Sequence, residues 1–599
     1  MSVIVRRPCL SAAATMNAPV EDDRCEGLVA DLLARMTADE KIGQLTWIPA
    51  PAGDENADWA QLDRQIAAGE VGAVLGVRDP VRAVRLQTIA HERARLSVPL
   101  LFPADVDAGT DTILPSPLAL AASWDIDAVE AGAAVIGGEA RENGANWLYS
   151  SETFAGGLTR LAALYRGTGL HLACEIERAF MSGLHDTDAP EAFASLFERA
   201  SPSPKACIRE IPKEQIDEAV ARVLRCKFRL GLIGRALGPP ARMASHSLPT
   251  PVRNREIALD LARKCAVLLR NDPRLLPLGI DSGEILVVGS AATDRQSPLA
   301  GKRGVAASVI DGLEQLGIPH RFVLGLALRD HGEASGRMRA ADRMAIGMAS
   351  EAAKRAGTVI FVHASHEETG LSEADSALLY ALVTANPRVA LVTLGSAPLD
   401  PSVDGRNLWT ILHAGPLGTM SGHAIAELLT GEASPSGRLA VAVTHEGEYA
   451  GLPFGHGLSY SDVMLGNLAI DAGPDRIALT CEVENRGDRR GSETVQVYLD
   501  ALEPSDGLGS RKSSRLVAFR KLWFNPGERE VLHFELGRSE FGLLAAEESD
   551  PIRPGRYCLR VGLDEKRAMT REIVLTKSLA RAMGRQTGEP SPLQTRRKA

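Results

Sequence analysis

Apolar positions recur along the chain with two different periods, and the change between them divides it. Up to about residue 444, short runs that are apolar throughout alternate with stretches in which apolar side chains return every three or four residues. The runs predict strands covered on both faces, and the stretches predict amphipathic helices. Their alternation predicts a parallel α/β architecture. After LPFGHGLSY (452–460) the period falls to two. In ALTCEVEN, Leu479, Cys481 and Val483 share one face while Thr480, Glu482 and Glu484 take the other. ETVQVYLD, VLHFELG and GRYCLRVGL repeat that alternation between turns such as NRGDRRG and NPGERE. About seven short strands in this spacing predict an immunoglobulin-like β-sandwich.

The first segment, 25–238, opens with LLARMTADEKIGQLTW, in which Thr37 and Glu40 form a capping box that starts a helix at Thr37. VGAVLG (71–76) and PLLFPAD (99–105) read as buried strands around the amphipathic stretch Val81–Leu96, which makes a βαβ unit. The helical DIDAVEAGAAVIGGEAREN and a third short strand, ANWLYS (145–150), follow. PKEQIDEAVARVLRCKFRLGL (212–232) closes the segment as a helix with Pro212 at its start.

A Gly-, Pro- and Ser-rich linker (234–251) leads into a second segment, 252–444. Its predicted strands are 284–291, 321–326, 358–364, 388–395 and 408–415, with helices at Ala340–Arg355 and Leu371–Val383 between them. The expected layout is an N-terminal extension (1–24), an incomplete (β/α)8-type barrel, an α/β sandwich, a β-sandwich (460–576) and a disordered tail (577–599).

Length limits the first of these domains. From Val71 to Leu232 there are about 160 residues, whereas a complete (β/α)8 barrel takes around 250 and rarely under 200. About four or five strands fit. The open sheet that remains has edges that invite pairing between chains, so self-association is expected.

Charge and cysteine usage exclude other classes. The formal net charge of −9 argues against nucleic acid or an anionic membrane as partner, since both need a basic footprint. The eight cysteines are scattered without a CxxC pair, so neither a zinc ribbon nor a disulfide-stapled module is expected. Cys481 and Cys558 both alternate with core positions, which makes a bridge between them doubtful. The N-terminal Arg6-Arg7 precedes only a short, interrupted apolar stretch, a poor secretory signal. A cytoplasmic location is expected, with periplasmic or secreted as the alternative.

The motifs are more specific than the composition. LLARMTADEKIGQLTW and PLLFPADVDAGTDTILPSPLALAASWD resemble the start of glycoside hydrolase family three, which contains β-glucosidases and β-xylosidases. IDEAVARVLRCKFRLGL resembles the helix that ends that family's barrel. LARKCAVLLRNDPRLLPL, GEASPSGRLAVAV and LPFGHGLSY resemble the start of its second domain, the end of that domain and the link onward. VENRGDRRGSETVQVYLD and LVAFRKLWFNPGERE resemble its fibronectin-type-III-like third domain. The resemblance implies a retaining glycosidase without metal or organic cofactor. In such an enzyme one carboxylate attacks the anomeric carbon, and a second protonates the leaving oxygen and then activates water.

Carried over residue by residue, the resemblance makes Asp105, at the end of a predicted strand, the carboxylate that holds sugar hydroxyls. A turn-forming Asp before Asp107-Ala108-Gly109 is the other reading. The family's usual His is replaced by Ala108, and its Lys-His pair occurs nowhere in the chain. SETFAGGLTRLAALYRG places Ser151-Glu152 where the family has Ser-Asp, which makes Glu152 the candidate nucleophile. Its extra methylene moves the attacking oxygen by about 1 Å, a displacement that can cost on the order of 10²-fold. In VHASHEETGLSEADSALLYAL, Glu368 is the candidate acid/base, with Glu367 as its alternative. Solvated acids before a helix N-terminus account for both equally well. His363 and His366 fit no metal-ligand spacing.

The leading expectation is thus hydrolysis of terminal β-D-glucosides, with β-xylosides second. The rival is a catalytically degenerate relative, either a sugar-binding or scaffolding protein or the product of a damaged gene. The family's β-N-acetylhexosaminidase branch requires a Lys-His segment followed by an Asp-Ser/Thr-His stretch, and neither is present.

Overall fold

The computed structural model describes residues 19–51, 56–106, 111–149, 170–184, 212–233, 251–272, 274–326, 338–364, 371–395, 397–399, 410–443, 451–502, 514–542, 552–564 and 567–584. The chain divides into two compact units. One comprises 1–112, 130–153 and 180–254, and the other comprises 113–129, 154–179 and 255–599.

The elements before the linker are α1 (Pro19–Arg35), α2 (Ala38–Gln44), β1 (Trp47–Pro49), α3 (Asn56–Ala67), β2 (Ala73–Leu75), α4 (Pro80–Glu92) and β3 (Pro103–Asp105). They continue with α5 (Pro117–Ser123), α6 (Ile126–Glu142), β4 (Trp147–Tyr149), α7 (Leu170–Leu184) and α8 (Lys213–Arg229). The Thr37–Glu40 capping box forms with both reciprocal bonds in place. The helix it starts ends at Gln44, and Trp47 begins β1. Gly43 and Gly72 permit a close approach of the chain just beyond that end. A Cβ on Gly43 would lie 1.9 Å from the carbonyl oxygen of Gly69, and one on Gly72 would lie 2.2 Å from that of Gln44. The chain segments leading into β1 and β2 are thereby in direct backbone contact.

The first unit holds four described strands, all parallel. β1 pairs with β2 and β3 with β4, and a bridge between Ala73 and Leu101 joins the two pairs. Residue parity assigns the two faces. Val74, Leu100 and Phe102, with Ile48 beside them, pack on Trp59, Leu62 and Ile66 of α3 and on Ala83, Leu86 and Ile89 of α4. Ala73, Leu101 and Trp147 face the other way, onto Val223 and Cys226 of α8, with Trp47 and Tyr149 packed against them. The opposite stripe of α8 (Val220, Ala221, Leu224) buries Cys25, Val29 and Met36. One helix thus carries two apolar faces and covers the side of the sheet that a complete barrel would enclose. Between Tyr149 and Lys213 lie only about 60 residues, whereas a βαβ unit takes about 30, so four more strands have no room. The expected incomplete barrel is what the chain forms.

α9 (Pro251–Cys265), whose residues from Arg255 onward belong to the second unit, runs directly into β5 (Val267–Asn271). The α/β part continues with β6 (Ile285–Val288), α10 (Val309–Gln315), β7 (His320–Val323), α11 (Ala340–Arg355), β8 (Thr358–His363), α12 (Glu373–Ala385), β9 (Val389–Thr393), β10 (Thr410–His413) and α13 (Ser421–Thr430). The six-stranded sheet has the order β5-β10-β9-β8-β6-β7, parallel except for β5. The five expected strands are present. β5 is a sixth, hidden in sequence because its apolar run continues the helix before it without a break.

The third segment forms the expected seven strands: β11 (Val463–Ala472), β12 (Ile477–Asn485), β13 (Gly491–Ala501), β14 (Arg515–Phe524), β15 (Arg529–Leu536), β16 (Gly555–Gly562) and β17 (Ala568–Leu575), with α14 (Arg538–Gly542) before β16. They make two antiparallel sheets, β11-β12-β15 and β14-β13-β16-β17. Cys481 and Cys558 lie on different sheets and are not bridged to each other. The tail expected to be disordered from 577 instead opens with a helix, α15 (Lys577–Gly584). Leu579, Ala580 and Met583 fall on one face of it and bury into the sandwich core, enough to hold a two-turn helix in place.

Candidate active site

Asp105 is the last residue of β3, at the carboxyl end of the parallel strands, where barrel enzymes build their sites. Its register partner is Tyr149, the last residue of β4, whose backbone carbonyl accepts a hydrogen bond from the Val106 amide at 3.0 Å. Adjacent register partners on parallel strands face the same way, so the carboxylate and the phenol share the inner face and both are half-buried. Burial, and then the negative charge of Asp105, push the Tyr149 phenol above its ordinary pKa, which keeps its proton in place as a donor.

Aromatic rings support this pair from beneath. Trp147 stacks on Tyr149 with centroids 5.6 Å apart and planes 27° from parallel, and Trp47 meets Trp147 edge to face at 5.6 Å. The opposite end of the sheet holds a fully buried cation. The Lys227 ammonium donates to the Gln44 side-chain oxygen at 2.7 Å and to the Gly72 carbonyl at 3.1 Å, and burial brings its pKa down to about 7. Gln44 and Gly72 precede β1 and β2, so Lys227 sits at the amino-terminal end, where barrel residues serve stability.

Of the residues singled out in sequence, the structure places Asp105 at a strand end suited to binding. Glu152, Glu367 and Glu368 lie outside the described residues, as does His366. His363 ends β8, with its Nδ1 3.5 Å from Asp375 on α12. Among the described residues no cluster of His, Cys, Asp or Glu could hold a metal ion. Tyr149 and Trp47 went unnoticed in sequence. The signal for Tyr149 was its parity with Trp147 in ANWLYS.

Three family models match the chain. The glycosyl hydrolase family 3 N-terminal domain matches residues 37–151, the C-terminal domain of the same family matches 266–460, and a fibronectin type III-like domain matches 493–565. The chain belongs to glycosyl hydrolase family 3.

The N-terminal match ends two residues past β4. Among curated family-3 relatives, a periplasmic β-glucosidase of Salmonella typhimurium is 24% identical, covering 94% of this chain and 97% of its own. That alignment runs over 755 positions against 599 residues here, so part of the relative faces gaps. A β-xylosidase of Formosa agariphila is 26% identical over 60% of this chain, which spans only 55% of that protein's length. Solved structures agree on the fold. A β-glucosidase from Erythrobacter marinus superposes with a TM-score of 0.73 at 22% identity, covering 93% of this chain and 99% of its own. A Listeria innocua β-glucosidase solved with glucose gives 0.71 at 20% identity, covering 92% and 99%.

Proposed function

We propose that this family-3 chain is a glycoside hydrolase of the β-glucosidase type, acting on terminal β-D-glucosides with retention of configuration. The observation that carries the reading is Asp105, a carboxylate at the carboxyl end of a barrel strand inside the family-matched domain. In this reading Asp105 accepts hydrogen bonds from sugar hydroxyls and fixes the pyranose over the ends of β3 and β4. Glu152, just beyond β4, attacks the anomeric carbon. Glu368 protonates the glycosidic oxygen and later activates water, with Glu367 as its alternative. β-Xylosides are the second substrate class, since relatives include β-xylosidases from Formosa agariphila and Arabidopsis thaliana.

A second reading is favoured by one observation: four barrel strands are described and the remaining length holds no complete set. On that reading the chain retains a sugar site without turnover, and the open sheet edge supports association between copies. Release of p-nitrophenol from its β-D-glucoside separates the two. The hydrolytic reading predicts turnover that is lost in Glu152→Gln and in Glu368→Gln. Absence of turnover by folded protein on both the glucoside and the β-xyloside would overturn it.

A further inference from the structure

Tyr149 closes β4 in register with Asp105 at the end of β3, on the same face of the sheet. Its ring stacks on Trp147, and the Asp105 charge acts on its phenol. Neighbouring strands are about 4.8 Å apart, so side chains from in-register positions can reach adjacent groups on one small ligand. The two groups are chemically complementary. A carboxylate only accepts hydrogen bonds, whereas a phenol can donate one and accept another. A pyranose presents vicinal hydroxyls, each of which needs both kinds of partner when it leaves water.

We infer that Tyr149 is a substrate-binding residue that works with Asp105, the two gripping neighbouring hydroxyls of one pyranose across the ends of β4 and β3. The inference rests on the reading of Asp105 as a sugar-binding carboxylate and extends it to a residue that no motif marks. Two features of the site favour it. The phenol keeps its proton beside the carboxylate, because burial and the Asp105 charge both raise its pKa. Its ring is also fixed by the Trp147 stack, itself buttressed by Trp47, so little side-chain freedom is left to lose when a sugar binds.

The test is calorimetric titration of the full chain with D-glucose, for the wild type and for Tyr149→Phe, beside turnover of p-nitrophenyl β-D-glucoside. Loss of one neutral hydrogen bond should weaken glucose binding roughly three- to tenfold. The far-UV circular dichroism of the variant should be unchanged, because the ring remains on Trp147. Equal binding by the two proteins would overturn the inference, and so would absence of glucose binding by the wild type. Glucose binding that depends on the Tyr149 hydroxyl, in a protein with no turnover, would sustain the inference while the hydrolytic reading falls. A measurement on the wild type alone covers the case of a variant that does not fold. Glucose should protect Tyr149 from nitration by tetranitromethane, located by peptide mass, and nitration at an unchanged rate would count against the role.

Discussion

Trp47 and Trp147 stand on the first and the last of four parallel strands, yet their indoles meet edge to face with centroids 5.6 Å apart. Three strand intervals of about 4.8 Å would hold them about 14 Å apart in a flat sheet. The contact shows that the short sheet is tightly curled, with Ala73 on the intervening β2 leaving room for the rings. The aromatic pair and α8 together cover the face of the sheet that a complete barrel would enclose.

Trp147→Ala should therefore loosen the whole arc. The side chain is 5% exposed, and its removal deletes contacts to Trp47, Tyr149 and α8. The expected cost is about 3–5 kcal/mol. Hydrogen exchange checks it: amides of β1 and β4 should lose protection, while those of the β-sandwich keep theirs.

Lys227 makes stability depend on pH. Its folded pKa is about 7 because burial disfavours the charged form, while an unfolded lysine titrates near 10.4. Between those values the unfolded chain binds more protons, so stability rises with pH from about 7 to about 10 and is lowest below 7, where a charged ammonium remains buried. Lys521, half-buried and lowered to about 8, adds the same slope from about 8 upward. Urea unfolding at pH 6.5 and 9.5 should show the rise in the wild type and a smaller one in Lys227→Met. An equal rise in the variant would mean that the ammonium is not the source.

Arg438 and Glu493 form a buried ion pair, and Trp124 donates its indole N–H to the Arg438 carbonyl at 3.0 Å. Glu493 belongs to β13, so the pair ties the sandwich to the end of the α/β segment within one unit. Glu493→Gln should cost on the order of 3–5 kcal/mol, because it leaves a guanidinium buried without its counter-charge. Exchanging both residues for apolar ones of similar volume should recover much of that loss in a thermal melt. A single variant as stable as the wild type would show the pair to be dispensable.

Asp105→Ala removes the carboxylate from the end of β3 while leaving the strand pairing to the backbone. A hydrogen bond to a charged group contributes about 1.5–3 kcal/mol, so loss of one or two should reduce glucose affinity by roughly ten- to a hundredfold or more. Calorimetry beside far-UV circular dichroism checks both parts, since the fold should be retained. Unchanged affinity would return Asp105 to the reading in which it only shapes a turn.

Much of the architecture was legible before any coordinates. Period-two alternation gave the seven sandwich strands, and fully apolar runs gave the strands of the α/β sheet, because covered sheets leave no polar face. The elements that escaped are those whose sequence carries no boundary. β5 continues the apolar run of α9, and α15 is too short and too charged to form unless Leu579 and Met583 have a core to enter. The close backbone approaches of Gly43 to Gly69 and of Gly72 to Gln44 also escape the sequence, because they join residues about 26–28 positions apart.

By itself, the sequence determined the family, the order of the three segments and the shortness of the first, since each follows from local pattern or from length. It also placed Asp105 at a strand end, because a parallel strand that ends in a carboxylate is a local feature. Only the tertiary structure decided how a four-stranded arc survives: Trp47 reaching Trp147, and α8 presenting one face to the sheet and the other to α1. It also decided which residue stands beside Asp105. Tyr149 is 44 positions away and carries no motif, and hydrogen-bond register between β3 and β4 alone makes them neighbours. Period and propensity act over a few residues, whereas register and packing join residues that the chain keeps far apart.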